Sequence, residues 1–357
     1  MLTAPTQRSA RIIEIQELTV PESLNQIESN LAARRFLTLL TIDASENQQG
    51  GTGRITKVFN CYGEALCLKS IAPILRVRIS PNERRRLFQA RTTAFHDEYL
   101  CQALFRTIPG IPTAYGYGTY QGGPIMLMEW MQGVSARSLR NHGEIAGSHL
   151  SALACASLGV SVLNILISAR KIDPLFAHRD ISGRNIHIRT DHVSLRQQLR
   201  QSLFDICLID FGSSVCSTIH ENRGDSQLWR NATPEYAPPE MLTHSDPVLV
   251  HQREAQEIDV YALCSVLYEL YSGHTPYCIG RVRGTPAYLY KMKNTAQLLV
   301  PTNPRDRPFI DILMNGLDQH QKKRPSVLGL HKELHSFICS QNEFIAKKLE
   351  CSDAFVS

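Results

Sequence analysis

AHRDISGRNIHI at residues 177–188, followed by LIDFG at 208–212, is the stretch whose reading decides the fold of this chain. It sets His178, Arg179 and Asp180 in a row, places Asn185 five positions after the aspartate, and then brings Asp210, Phe211 and Gly212. Just upstream, Leu150 to Ala169 carries no charged residue over a length that admits a membrane span. It also holds four serines and an asparagine and leads directly into the motif, so a buried helix of a large core is expected there. From residue 144 onward helical patterns dominate, including IDVYALCSVLYELYSG at 258–273 and a last one near 325–340. Before the motif, RFLTLLTI, RITKVFN, EALCLKS, GYGTY and PIMLMEW read as short strands separated by turn residues. The expectation is an α+β chain of two lobes, a small β-rich one and a larger helical one, with a cleft between them.

The bulk numbers are consistent with this and exclude other classes. With 357 residues and 43% hydrophobic composition the chain can bury a large core, which argues against disorder. Lys and Arg exceed Asp and Glu by only 38 to 33, a formal charge of +5 that demands no nucleic-acid partner. The ten cysteines are scattered without a CxxC pair, as expected for thiols in a reducing cytoplasm. The N-terminus lacks the continuous apolar run of a secretory signal, because Arg11, Glu14 and Glu17 interrupt it. Residues 1–35 read as a polar extension with an appended amphipathic helix on which Leu24, Ile27 and Leu31 recur. The basic stretch RVRISPNERRRLFQAR at 76–91 reads as a solvated insertion ahead of a helix around AFHDEYLCQALF, and DHVSLRQQLRQSLFD at 191–205 as a surface helix.

The two opening segments, in this order, resemble the catalytic loop and the metal-binding motif of the eukaryotic-type protein kinases. The resemblance covers about residues 36–338, with an N-lobe to about 130 and a C-lobe from 131, and leaves 339–357 as a tail. It implies ATP and Mg²⁺ as cofactors, a protein carrying Ser or Thr as acceptor, and neither a nucleic-acid partner nor a membrane span. Phosphoryl transfer needs the phosphates held, their charge neutralised and a hydroxyl aimed at the γ-phosphorus. By the resemblance Asp180 is the catalytic base, and Asn185 and Asp210 give oxygen ligands to Mg²⁺. Lys69 in ALCLK reaches the phosphates with Glu98 as its partner, and Cys67 packs on adenine. QGGTGRITKV stands at the phosphate-covering loop, with Gly51 and Gly53 as its first two glycines, Thr56 in place of the third and Val58 as its valine. Met128 is expected as gatekeeper, with the backbone of Glu129 and Met131 facing the adenine edge.

Further matches follow in order. NATPEYAPPEM resembles the end of the activation segment, with Thr233 in the docking loop and Pro238-Pro239-Glu240 for the usual Ala-Pro-Glu. Cys264 stands where a glycine is common, and Arg324 in QKKRPSV is expected to pair with Glu240. Gln102 replaces an apolar residue one turn after Glu98. Ser182 occupies the place of a lysine, so Arg184 is expected to take over its charge. Arg179 would receive a phosphate on Ser213, Ser214, Ser217, Thr218 or Ser226. The rival readings are a pseudokinase scaffold, against which Lys69, Asp180 and Asp210 all stand, and an aminoglycoside-type small-molecule kinase, which lacks the TPEY-to-PPE segment.

Overall fold

The structure, a computed structural model, describes residues 10–21, 24–41, 48–49, 53–73, 79–141, 149–220, 232–243, 247–250, 252–281, 283–301 and 303–353. The chain divides into two compact units, Met1–Arg106 with Pro112–Trp130, and Thr107–Ile111 with Met131–Ser357. Family and fold expectations therefore meet a β-rich first unit and a helical second one.

The first unit is built on an antiparallel sheet of β1 (Arg11–Glu14), β2 (Glu17–Thr19), β3 (Thr38–Thr41), β4 (Gln48–Gln49), β5 (Gly53–Phe59), β6 (Ala65–Ile71), β7 (Ala114–Tyr120) and β8 (Gly123–Glu129). Its order is β1-β3-β5-β6-β8-β7-β2, with β4 paired to β5. The residues expected to be a helical extension thus do more than append a helix, because β1 and β2 form the two ends of the sheet. Helix α1 (Gln26–Phe36) does form, started by a capping box in which Asn25 accepts from the Glu28 amide and Glu28 accepts from the Asn25 amide. Its expected apolar face is not buried, however. Ile27 and Leu31 are exposed, and the helix attaches through Phe36 at its end.

Period-two alternation divides the sheet's residues between two clusters. Val58, Leu66, Leu68, Ile125 and Leu127 pack with Ile13, Ile15, Phe36 and Leu39 on one face. Cys67, Met126 and Met128 pack on the other with Phe95, Tyr99 and Ala103 of α2 (Pro81–Leu104). Helix α2 begins at the Ser80 cap with Pro81 in its first turn, so from Pro81 to Arg91 the basic stretch is the first half of this helix rather than a segment ahead of it. The arginines 84, 85 and 86 are exposed there.

The second unit carries a small sheet of β9 (Gly133–Ser135), β10 (Ile186–Arg189) and β11 (Ile206–Leu208), in the order β11-β10-β9. Around it run α3 (Ala152–Ile172), α4 (Leu195–Gln201), α5 (Ser217–His220), α6 (Pro247–Val250), α7 (Glu257–Ser272), α8 (Ala287–Lys293), α9 (Arg307–Gly316), α10 (Val327–Gln341) and α11 (Glu343–Asp353). Helix α3 is long and apolar enough to cross a membrane, yet 78% of its apolar window is buried inside the fold. It packs against α7, α10, α11 and β11. Helix α4 falls in the stretch expected as a surface helix, and Gln198 ties it down by donating to the Arg189 and Val193 carbonyls. The expected tail is ordered packing as far as α11, where Ile345, Ala346 and Leu349 are buried.

Cys264 is accommodated by an exchange of sizes. A Cβ on Gly316 of α9 would lie 2.3 Å from the Cys264 sulfur, so the missing side chain at 316 makes room for the one that α7 carries.

Candidate active site

In the first unit Lys69 and Glu98 are both buried, and the Lys69 ammonium donates to the Glu98 carboxylate. Taking two charges out of water is costly, and their attraction at contact distance offsets that cost. Glu98 rather than Asp97 is therefore the partner, and α2 supplies it because 29 residues of chain bring the helix back along β6. Gln102, one turn on, is buried and donates to the Pro112 carbonyl at 2.8 Å, which explains a polar residue at an apolar place. Cys67 shares the Lys69 face, and burial pushes its thiol up to about 12. Met128 is buried beside the Gln102 amide at 3.4 Å. The Glu129 amide donates to Thr113 O at 2.9 Å just before β7, while its carboxylate accepts from the Thr113 amide at 3.1 Å. Met131 opens the second unit.

The glycine-loop expectation needs correction. Residues directly opposite in an antiparallel pair share a face, and the register is Ile55 to Lys69, Lys57 to Cys67, Thr56 to Leu68 and Val58 to Leu66. Val58 therefore lies fully buried on the face away from Lys69, and Thr56 sits in mid-strand. Ile55, for which no role was expected, is the residue that stands opposite Lys69 on its face, and Val58, expected as the valine of the loop, is not on that face. The sequence held this alternative as Gly50-x-x-Gly53-x-Ile55, three residues out of step with the spacing chosen. Gly53 begins the strand, and a Cβ there would come within 3.1 Å of the Lys69 Cε, so its bareness lets the lysine stem pass. Gly51 lies outside the described residues.

In the second unit Asp180 is held from two sides. Thr233 donates its hydroxyl to Oδ1 at 2.9 Å and its amide to the same oxygen at 3.2 Å. Asn185 donates its amide to Oδ2 at 3.1 Å and to the Asp180 carbonyl at 2.9 Å. Burial raises the Asp180 carboxyl above the usual range, the Thr233 bond opposes this, and the nearby Asp210 charge adds to it. Asp210 is exposed and has a left-handed backbone, φ 66°. Asn185 spends its amide hydrogens on Asp180, so its amide oxygen, with the Asp210 carboxylate, makes a hard-donor set that fits Mg²⁺.

The loop itself is strained and pinned. Arg179 has φ 65°, and the buried Asp259 carboxylate accepts from the His178 and Arg179 amides at 2.8 Å each. Asp259 lies in the first turn of α7. Its partners lie about eighty residues away, which no local pattern reveals. Ser182 is buried and Arg184 exposed.

The expected pairing of Arg324 with Glu240 forms. Arg324 forms a two-pronged bond with Glu240, Nη2 to Oε2 at 3.1 Å, with both side chains almost without exposure. Tyr236 donates to Glu269 at 2.5 Å. Among the phosphate-acceptor candidates Ser213 and Ser214 are buried, and Ser217 donates to the Asp173 carboxylate at 2.7 Å. Thr218 is exposed, and Ser226 lies outside the described residues.

Comparison with curated proteins found no match to this chain. A family model described as the protein kinase domain matches residues 45–337, a span that contains Lys69, Glu98, Asp180, Asn185, Asp210, Thr233, Glu240 and Arg324. The chain with this buried Lys69–Glu98 pair and this twice-held Asp180 belongs to the protein kinase domain family.

Proposed function

We propose that the chain transfers the γ-phosphate of ATP to Ser or Thr hydroxyls of protein substrates in a Mg²⁺-dependent reaction, with Asp180 as the catalytic base. Membership of the family implies a phosphotransferase that uses ATP. The observation that carries the finer reading is the Thr233 hydroxyl on the Asp180 carboxylate, because it ties the loop that would receive a peptide to the group that would take its proton.

Asp180 orients the acceptor hydroxyl and accepts its proton as the bond to phosphorus forms. Its ionised form is the one that works, and Thr233 and Asn185 hold its two oxygens so that no rotation is needed. Lys69, kept straight by Glu98, donates to phosphate oxygens. Arg184 is exposed and supplies the positive charge that Ser182 lacks. Asn185 and Asp210 would hold Mg²⁺, which neutralises phosphate charge when bound. The retained Lys69, Asp180 and Asp210 favour catalysis over scaffolding, and the Thr233–Glu240 segment favours protein over small-molecule acceptors. Nine free cysteines among the described residues suit a reducing compartment such as the cytoplasm.

The test is radiolabelled ATP with generic protein substrates and phosphoamino-acid analysis. Phosphoserine and phosphothreonine are expected. Mostly phosphotyrosine would overturn the acceptor class, and ATP binding without transfer to any protein would overturn the protein-kinase reading.

A further inference from the structure

Lys291 of α8 is fully buried, and no carboxylate neutralises it by direct contact among the described bonds. Its ammonium donates to Ala237 O at 2.6 Å and to Glu235 O at 3.4 Å. It also sits 5.3 Å from the ring centres of both Tyr261 and Tyr277, so its charge is met by two backbone carbonyls and two aromatic faces. A buried ammonium is costly, and a lysine solely for packing would be better replaced by Met or Leu. The carbonyls it grips belong to the segment that begins at Thr233, whose hydroxyl holds Asp180.

We infer that Lys291 is a positioning residue for the protein acceptor: its ammonium sets the path of residues 233–237 from beneath, and so sets the surface on which the acceptor docks. This rests on the reading of that segment as a docking loop under the proposed function. The segment is gripped at successive points, Thr233 by Asp180, the Glu235 and Ala237 carbonyls by Lys291, and Tyr236 by Glu269 through its hydroxyl and by Ser265 through its carbonyl. Glu240 closes it on Arg324, which itself lies 4.8 Å from the Tyr261 ring centre, on the same tyrosine that Lys291 approaches. Pro234 is left exposed within it. Because Lys291 lies under this loop, removing its charge should loosen acceptor binding and leave nucleotide binding alone.

Charges facing the ammonium work in both directions. Burial pushes Lys291 down to about 7, Glu235 and Glu240 oppose that shift, and Arg324 adds to it. Tyr261 and Tyr277 stay neutral near that pH because burial raises both. The grip is thus strongest below pH 7 and weakens above it, when the ammonium loses its proton.

The test compares wild type with Lys291→Met and Lys291→Gln. Three quantities are read: the KM for a protein acceptor from pH 6 to 9, binding of a fluorescent ATP analogue, and amide exchange across 233–241. The expected result is an acceptor KM raised about tenfold at pH 6.5 in both variants, unchanged analogue binding, and faster exchange at Tyr236, Ala237 and Met241. In wild type alone, acceptor KM should rise as pH passes upward through 7. A flat wild-type KM profile, or folded variants with acceptor KM and exchange within twofold of wild type, would overturn the assignment. Failure of the kinase reading looks different: wild type would transfer nothing to protein at any pH, and the acceptor role would fall with it even where exchange still responds to Lys291.

Discussion

The Thr233 hydroxyl donates to the Asp180 carboxylate at 2.9 Å across fifty-three residues of sequence. A hydrogen bond to a charged group is worth about 1.5–3 kcal/mol, and here it also fixes the direction of the carboxylate. Thr233→Ala is expected to lower kcat by about ten- to a hundredfold, with ATP KM nearly unchanged. Thr233→Ser should keep most of the rate. Steady-state kinetics of the two variants checks this, and equal losses in both would separate the hydroxyl from the effect.

Asp180 gives a pH dependence with a definite sign. Its carboxyl is raised in the folded protein, chiefly by burial, so between the ordinary aspartate value and the raised one the native state binds the extra proton. The stability it contributes is full below the unfolded value and is lost as pH rises through the folded one. Asp180→Asn should therefore leave the melting temperature at pH 7 equal or higher while nearly abolishing transfer. The acid limb of kcat/KM should lie above that of an unperturbed aspartate, and further up in Thr233→Ala, which removes an opposing bond. A lower melting temperature for Asp180→Asn at pH 7 would contradict this account.

Lys69 and Glu98 form a buried pair whose partners need each other. Lys69→Met removes the positive charge that faces the buried Glu98 carboxylate and should cost about 3–5 kcal/mol of stability as well as activity. Adding Glu98→Gln should recover much of the stability and none of the activity. Denaturant titration of the single and double variants measures the difference, and additive losses would refute the coupling.

Arg184 is expected to steady the transferring phosphate, since Ser182 offers no charge and is buried. Arg184→Ala should lower kcat by about ten- to a thousandfold, roughly 1.4 to 4 kcal/mol, with ATP KM nearly unchanged. Near-full kcat in Arg184→Ala, with loss in Ser182→Ala, would remove the arginine from the mechanism.

Of the five candidate hydroxyls, a phosphate is expected on Thr218 or Ser226 rather than on Ser213 or Ser214, whose burial disfavours a dianion. Mass spectrometry locates it, and phosphatase treatment should lower the rate. Modification of Ser213 in the folded protein would contradict this.

What the sequence determined by itself was the order of chemical groups and the type of each long element. Asp180, Asn185 and Asp210 were legible because their spacing along one chain is the signal. The helices at 152–172 and 257–272 were legible because apolar periodicity over many residues outweighs local ambiguity. Glu98 could be named as the partner of Lys69, but only the packing of α2 on β6 and β7 made the pair. Tertiary structure alone decided three matters. Strand register put Ile55 beside Lys69 and turned Val58 to the other face, because side chains in a strand alternate and a shift by an odd number of residues reverses which face each one takes. Sheet pairing claimed residues 11–14 and 17–19, whose runs are too short to carry a pattern of their own until β3 and β7 supply hydrogen-bond partners. Long-range closure gave Asp259 the loop amides and Lys291 the docking-loop carbonyls, bonds made between residues some fifty to eighty positions apart, which no local propensity encodes.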